Sequence, residues 1–367
     1  MKTAKTESRS KGPFGLEILT DEQRFEMDVY QAFLNGAKGF WRDDVYARVK
    51  DEASSLANQS PSNIELKMQE SDAYFLYSWL ERRMQQFKYA GRWGLETMAE
   101  AHMRDIDRLL PEDGDAKGAA DSVPYYVKEL DVHQHPGGLW TSSANAVAHE
   151  WYQSGASFSG VGTDVMVDYY SKTVLELMPR KDARVLDMGC TLGRMTLAIK
   201  KAAPGAYVEG IDVCEPALRL AKAKARRDNL DVTFRLANCE EVPHPDASFD
   251  VVGSHWLFHE LPKKAIKNTL DEMRRLTKKG GAVIVFDMQH VPGGSIGLWL
   301  HEGYAVRNNE PYAAGYSGLD MTKELKDRGF EDIKLLDFDP GTGATGWLED
   351  LPPKRTHYST VITARKP

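Results

Sequence analysis

Several histidines of this 367-residue chain stand beside carboxylates or other ligating groups. His259 precedes Glu260 in Trp256-Leu257-Phe258-His259-Glu260-Leu261, and His301 precedes Glu302. A histidine oriented by a carboxylate works as a general base near neutral pH. Adjacent helical residues do not face each other, so the partner that orients His259 need not be Glu260. His133 and His135 lie in Asp131-Val132-His133-Gln134-His135-Pro136-Gly137-Gly138-Leu139-Trp140, which Pro-Gly-Gly marks as a turn. No cysteine or acid sits near them at a familiar ligand spacing, so no metal site is expected.

These groups need a scaffold, and the stretch 183–200, ARVLDMGCTLGRMTLAIK, supplies its centre. A short apolar run ends at Asp187, and Gly189-Cys190-Thr191-Leu192-Gly193 follows as a turn into an amphipathic segment. A buried parallel strand turning tightly into a helix reads this way, with small residues where a ligand approaches the backbone. A second strand, 207–211, ends at Asp212, about 20 residues after the glycine turn, where an acid can accept hydrogen bonds from both hydroxyls of a ribose. Further strands end at Ala237-Asn238-Cys239, at Ser254-His255-Trp256 and at Asp287, with helical segments between them. Repeated β-α units predict a parallel sheet with helices on both faces. The G-x-G-x-x-G dinucleotide pattern fits worse, because Thr191 and Arg194 occupy its second and third glycine positions.

Taken in order, VLDMGCTLG, GIDVCEPAL, ANCEEVPHPDASFDVVGSHWLFHEL and LTKKGGAVIVFD resemble the successive motifs of class I S-adenosylmethionine-dependent methyltransferases. The resemblance runs from about Val161 to the C-terminus. It implies an α/β, Rossmann-like core of seven strands in the order 3-2-1-4-5-7-6, closed by an antiparallel pair at 331–338 and 360–364. It implies S-adenosylmethionine as cofactor, met by Asp187, Gly189, Cys190 and Gly193 at the methionine end and by Asp212 at the ribose. Val213, Asn238 and Cys239 would lie at the adenine, with Ser254 at the end of the fourth strand. Asn238 stands where many relatives carry Asp and can still accept through its carbonyl oxygen. Cys190, Cys214 and Cys239 follow the first three strands and are expected near one another; their bland reading is small buried side chains.

In this family the segment before the core and the insertion after the fifth strand meet the acceptor. That makes His133, His135, Trp140, Trp256, Tyr304, Asn309 and Tyr312 substrate candidates, with His259, Glu260 and His301 as catalytic candidates. Asn309-Glu310-Pro311-Tyr312 is superficially similar to the Asn-Pro-Pro-Tyr motif of base-methylating enzymes. That motif belongs after the fourth strand, where Ser254-His255-Trp256-Leu257 stands, so a base-methylating assignment is rejected. The expected reaction is methylation of a small-molecule hydroxyl with a histidine base. Thioether S- or N-methylation is the alternative, the aromatic residues then stabilising a cation. A non-catalytic cofactor-binding subunit is the competing class, and a nicotinamide dehydrogenase ranks third.

The formal charge of −7 argues against a general nucleic-acid binder. The polar, basic start is unlike a secretory signal, and no stretch is long enough to span a membrane, so a cytoplasmic protein is expected. Three cysteines imply no disulfide framework. The organisation expected is a disordered tail over 1–18, a helical domain over 19–130 that covers substrate or forms a homodimer, a connector over 131–160 across the site, and the cofactor-binding domain over 161–367. A capping box at Thr20–Gln23 opens the first helix, which Asn35-Gly36 is expected to end. Phe25, Val29 and Phe33, and then Tyr74, Tyr77, Leu80, Met84 and Phe87, recur at helical spacing as apolar faces.

Overall fold

The computed structural model describes residues 14–110, 123–154, 163–289, 291, 293–339, 343, 345–346 and 359–367. Its centre is one sheet. The parallel part comprises β1 (Arg184–Met188), β2 (Tyr207–Asp212), β3 (Thr233–Leu236), β4 (Phe249–His255) and β5 (Thr277–Asp287). β6 (Glu331–Phe338), the two-residue β7 (Thr345–Gly346) and β8 (Ser359–Arg365) follow. The order is β3-β2-β1-β4-β5-β8-β6-β7, with β8 antiparallel to β5 and β6. This is the expected seven-strand order plus β7, which pairs only with the end of β6. The central strands are buried on both faces, as near-continuous Val/Ile/Leu runs require.

The N-terminal helices follow their caps, with two departures. Thr20 and Gln23 form the reciprocal capping box, and Ser60 caps the helix that Pro61 opens. The first helix, Asp21–Phe40, runs through Gly36 and then passes by a π-turn, Trp41–Val45, into the helix Tyr46–Ala53. Burial of Trp41, Val45 and Val49 against Tyr77 and Met84 outweighs the local glycine signal. The helix that Pro61 opens ends at Met68, and Ser71 caps a new helix, Asp72–Tyr89. The tail also differs from expectation: Leu16–Ile18 forms a 3₁₀ turn and Phe14 is buried, its carbonyl accepting from the Trp151 indole. Residues 1–13 of that tail, and 155–160 of the connector, lie outside the described residues.

The helical layer is joined to the core in two places. One apolar cluster unites Met27, Leu95, Met98 and Ile106 with Val147 and Trp151 of the helix Ser143–Ser154, and with Leu192, Ala217 and Leu220 of the α/β unit. Another seats Trp299 and Leu300, on the helix Gly294–Asn308 after β5, among Tyr74, Tyr77 and Met84. The second contact carries a buried ion pair, Glu81 with Arg307, and the guanidinium also donates to the Tyr74 hydroxyl at 3.3 Å. Removing one partner of a buried pair strands the other charge. Glu81→Ala is therefore expected to destabilise the protein by about 3–5 kcal/mol in urea unfolding, and the double variant with Arg307→Met by clearly less.

The two apolar faces separate. Tyr74, Tyr77 and Met84 are core, Leu80 is half-buried and Phe87 is 42% exposed. Phe25, Val29 and Phe33 point outward, 69, 52 and 66% exposed, rather than into this chain's core. No helix among the described residues is long and apolar enough to cross a membrane.

Candidate active site

The floor of the site is the turn after β1. Gly189 and Gly193 adopt φ of +72° and +71°, which L side chains rarely do. A Cβ at Gly193 would fall 2.7 Å from the Phe234 ring, and one at Gly189 2.8 Å from Leu257. The turn's own N–H groups are largely engaged. Gly189 and Cys190 donate to the Ile211 carbonyl, Thr191 to Asp212 and Gly193 to the Cys190 carbonyl. The expectation that this backbone meets the methionine end is thus modified: it shapes a close floor, and the donors among these four groups serve the fold.

The charge of that floor is negative. Asp187 is buried, accepts from the Thr196 hydroxyl at 2.6 Å and has its pKa pushed up to about 7. Burial is the main cause, the Thr196 bond opposes it, and Asp212 adds to it. Asp212 is also raised by burial, against backbone N–H bonds from Cys214 and Thr191, each 2.8 Å. Neither acid has a cationic partner among the described ion pairs. Two buried carboxylates without a counter-cation fit a cofactor carrying an ammonium and a sulfonium, and Asp212 keeps lone pairs for ribose hydroxyls.

The other cofactor candidates are distributed around this floor. Val213 packs in the same apolar cluster as Trp140 and Cys214. The Asn238 Oδ1 accepts from the Glu240 N–H at 2.9 Å, so one of its lone pairs fixes the turn. The Cys239 sulfur accepts from the Thr269 hydroxyl at 3.3 Å. Ser254, at the end of β4, is buried and its hydroxyl has no hydrogen-bond partner. The three cysteines are buried, and the Asp212 carboxylate helps raise the pKa of each thiol. Cys190, Cys214 and Cys239 belong to three different apolar clusters, because each follows its strand into a different helix packing. Among the described residues no group of three His, Cys, Asp or Glu is arranged to hold a metal.

Beyond β4 the chain is strained and polar. Trp256 has φ of +51° and donates its N–H to the Phe286 carbonyl. A bulky residue in that region stores strain that the surroundings must hold. Next, Phe258–Glu260 forms a 3₁₀ turn, organised by Asp287 at the end of β5. The Asp287 Oδ2 accepts from the Phe258 N–H at 2.7 Å, and Oδ1 meets His259 Nδ1 at 2.6 Å. The orienting carboxylate of His259 is therefore Asp287, 28 residues away in sequence. Glu260 touches the other ring nitrogen, Nε2, at 3.4 Å. Burial alone would lower the His259 pKa, but Asp287 and Glu260 outweigh it and hold it well above the ordinary imidazole value.

A ladder of alternating charges extends outward from there. Glu260 Oε1 lies 3.3 Å from His133 Nε2, and His133 Nδ1 lies 2.7 Å from Glu310 Oε1, which also accepts from the Tyr304 hydroxyl at 2.9 Å. Burial opposes the charge on His133, yet the two carboxylates raise its pKa to about 9. Glu260 goes the other way: burial would raise it, but the two imidazoliums hold it well below the carboxylate range. The ladder joins core (Asp287, His259, Glu260), connector (His133) and the insertion after β5 (Tyr304, Glu310).

The remaining candidates stand outside the ladder's chain of ion pairs. His301 is buried and contacts the Ser317 hydroxyl at 2.9 Å, whereas Glu302 is exposed, so the His301–Glu302 pair does not form. Helical neighbours point apart, which is the reason. His135 stacks on Tyr89. Asn309 ends the helix Gly294–Asn308 in the left-handed region and donates its amide to the Asp131 carbonyl, a tie between insertion and connector. Tyr312 packs edge-on against Tyr126. The sequence reading missed Asp287, Glu310 and His255. Asp287 carried a signal, since it ends a strand as Asp187 and Asp212 do. His255 follows Ser254 directly; burial lowers its pKa to about 3, and its Nε2 has no partner.

Residues 185–281 match the family described as "Methyltransferase domain". Demethylmenaquinone methyltransferase of Thermus thermophilus is 34% identical over 124 residues, which is 34% of this chain and 54% of that protein. The 27-O-demethylrifamycin SV methyltransferase of Amycolatopsis mediterranei is 31% identical over 115 residues, 31% of this chain and 41% of that protein. Among solved structures, Haemonchus contortus phosphoethanolamine N-methyltransferase 2, bound to phosphomonomethylethanolamine and S-adenosylhomocysteine, aligns with a TM-score of 0.45 at 18% identity, over 61% of this chain and 57% of that one. The chain spans about half the length of the curated relatives it matches. With the strand order, the glycine turn and the two strand-end acids, the match over 185–281 supports reading the α/β part of this chain as a class I S-adenosylmethionine-dependent methyltransferase domain.

Proposed function

We propose that this protein methylates a hydroxyl of a small molecule, with His259 as the general base. The observation that carries this is the Asp287–His259 dyad at the mouth of β4 and β5, buried beside the cofactor floor. S-adenosylmethionine supplies, when bound, a methyl group already activated on a sulfonium. The chain's task is to hold it on the Asp187 and Asp212 carboxylates, exclude water and orient the acceptor. Asp287 fixes a proton on His259 Nδ1, which leaves Nε2 as the atom that takes the acceptor's proton. The 3.4 Å contact of Nε2 with Glu260 is long enough for a hydroxyl to replace it. Among the relatives, the rifamycin enzyme's name states a 27-O-demethyl compound, which agrees with an oxygen acceptor.

The test is product analysis after incubation with S-adenosylmethionine labelled in its methyl carbon and a library of small hydroxyl compounds. An O-methyl carbon resonance that disappears in His259→Ala supports the reading. Label on nitrogen or sulfur, undiminished in His259→Ala, overturns it in favour of transfer without a base.

We also propose that the helical domain pairs with a second copy through Phe25, Val29 and Phe33. Three large apolar side chains more than half exposed along one helix stripe need a cover. Light scattering is expected to show a dimer at micromolar concentration, and a monomer for Phe25→Glu with Phe33→Glu. A wild-type monomer removes the idea.

A further inference from the structure

Behind the ladder, where the helix Asp72–Tyr89 meets the connector and the helix Ser143–Ser154, lies a second buried polar group. Lys88 is fully buried and its ammonium makes no hydrogen bond. Its Nζ sits 3.7 Å from the Tyr152 ring centroid and 5.1 Å from that of Tyr89. The Tyr89 ring stacks on His135 at 4.0 Å, and His149 lies 6.1 Å from Tyr152 and 6.5 Å from His135. Four polar atoms in this nest lack partners: Lys88 Nζ, Tyr89 OH, His135 Nδ1 and His149 Nδ1.

Three of the four, Lys88 Nζ, Tyr89 OH and His149 Nδ1, can donate. His149 Nε2 lies 2.8 Å from the Gln153 amide nitrogen and must accept from it, which puts the ring proton on Nδ1. His135 Nε2 lies 3.7 Å from Glu96 Oε2 and 3.4 Å from the Asn145 amide nitrogen, whose two hydrogens already go to Glu96 and Pro136, so the His135 proton sits on Nε2 and Nδ1 is an acceptor. Burial keeps both imidazoles neutral and lowers the lysine well below its usual value, with Lys38 adding to that effect and Glu310 opposing it. Glu310, the acid named in that balance, accepts from His133 and Tyr304 through Oε1; its Oε2 is buried without a partner and makes no hydrogen bond to Lys88. A buried ammonium and two further buried donors without a hydrogen-bonded acceptor are costly unless something supplies one.

We propose that this nest is an oxyanion subsite that receives an acidic group, a carboxylate or a phosphate, of the methyl acceptor. The proposal rests on the reading of the ladder as the acceptor site, and it narrows the substrate class to small hydroxy acids or hydroxy phosphates. The aromatic walls suit a planar acid, and Lys88 Nζ, Tyr89 OH and His149 Nδ1 would pair with its oxygens.

The test uses the full chain, alone and loaded with S-adenosylhomocysteine, in calorimetric titrations with benzoate, 2-hydroxybenzoate, phenyl phosphate and neutral benzamide. The expected result is that at least one anion binds at least about tenfold tighter than benzamide, and that Lys88→Met abolishes this preference. Carboxylate and phosphate ligands are told apart by which anion leads. Lys88→Met is expected to raise the unfolding midpoint of the ligand-free protein, since it removes an unpaired buried ammonium. His149→Leu, which should also weaken the preference, serves if that variant does not fold. Benzamide binding as tightly as the anions, no anion binding, or a preference that survives both variants overturns the proposal. The titrations need no methyl transfer. Anion preference without turnover leaves the nest standing and removes the methylation reading, and turnover without preference does the reverse.

Discussion

Asp212→Ala is expected to lower the affinity for S-adenosylmethionine by about 100- to 1,000-fold, read by calorimetry against wild type. Two hydrogen bonds from ribose hydroxyls to a carboxylate contribute about 1.5–3 kcal/mol each. The substitution also frees two backbone donors, because the Asp212 oxygens accept from Thr191 on one side and Cys214 on the other. Those bonds fix the glycine turn against β2, so its floor loosens with the loss. Asp212→Asn is not conservative here. Whichever way the amide turns, its NH₂ faces one of the two N–H donors, and an intermediate loss is expected. Unchanged affinity in Asp212→Ala would mean that the ribose lies elsewhere.

The second large effect is at the dyad. His259→Ala is expected to reduce kcat by about 10²–10⁴-fold while leaving S-adenosylmethionine affinity near wild type. The pH profile gives the sharper test. A base must be unprotonated, and Asp287 and Glu260 hold the His259 pKa above the ordinary imidazole value. The rate should therefore rise with pH through a limb on the alkaline side of about 6.5. Asp287→Asn removes one of the two negative charges that stabilise the imidazolium. Its limb should move to lower pH, and its maximal rate should fall because Nδ1 and the Phe258–Glu260 turn lose their anchor. A profile that is flat in wild type and unmoved in Asp287→Asn would assign the dyad to structure alone.

Much of the cofactor floor was legible in the chain itself. Strand ends, glycine turns and caps are local: a few neighbouring residues fix backbone angles and a period. Asp187, Gly189, Gly193 and Asp212 could be placed at one sheet edge because parallel β-α units bring their strand ends to the same side. The Thr20 capping box is local in the same sense, and it formed. The Asp21–Phe40 helix passed Gly36 because a glycine's preference of about 1 kcal/mol is small beside the burial of Trp41 and Val45.

The acid–base groups required the tertiary structure. The neighbour Glu260 was visible beside His259, yet Asp287 orients the imidazole, because β4 and β5 pair side by side and bring their ends together. His133 finds Glu260 on one side and Glu310 on the other only after the connector and the insertion fold over the sheet. Periodicity likewise says that Phe25, Val29 and Phe33 share a face but not what that face meets. Nothing in the sequence marks Lys88. Packing of three elements around it, rather than any feature of its own sequence, removed its water and left it without an acceptor.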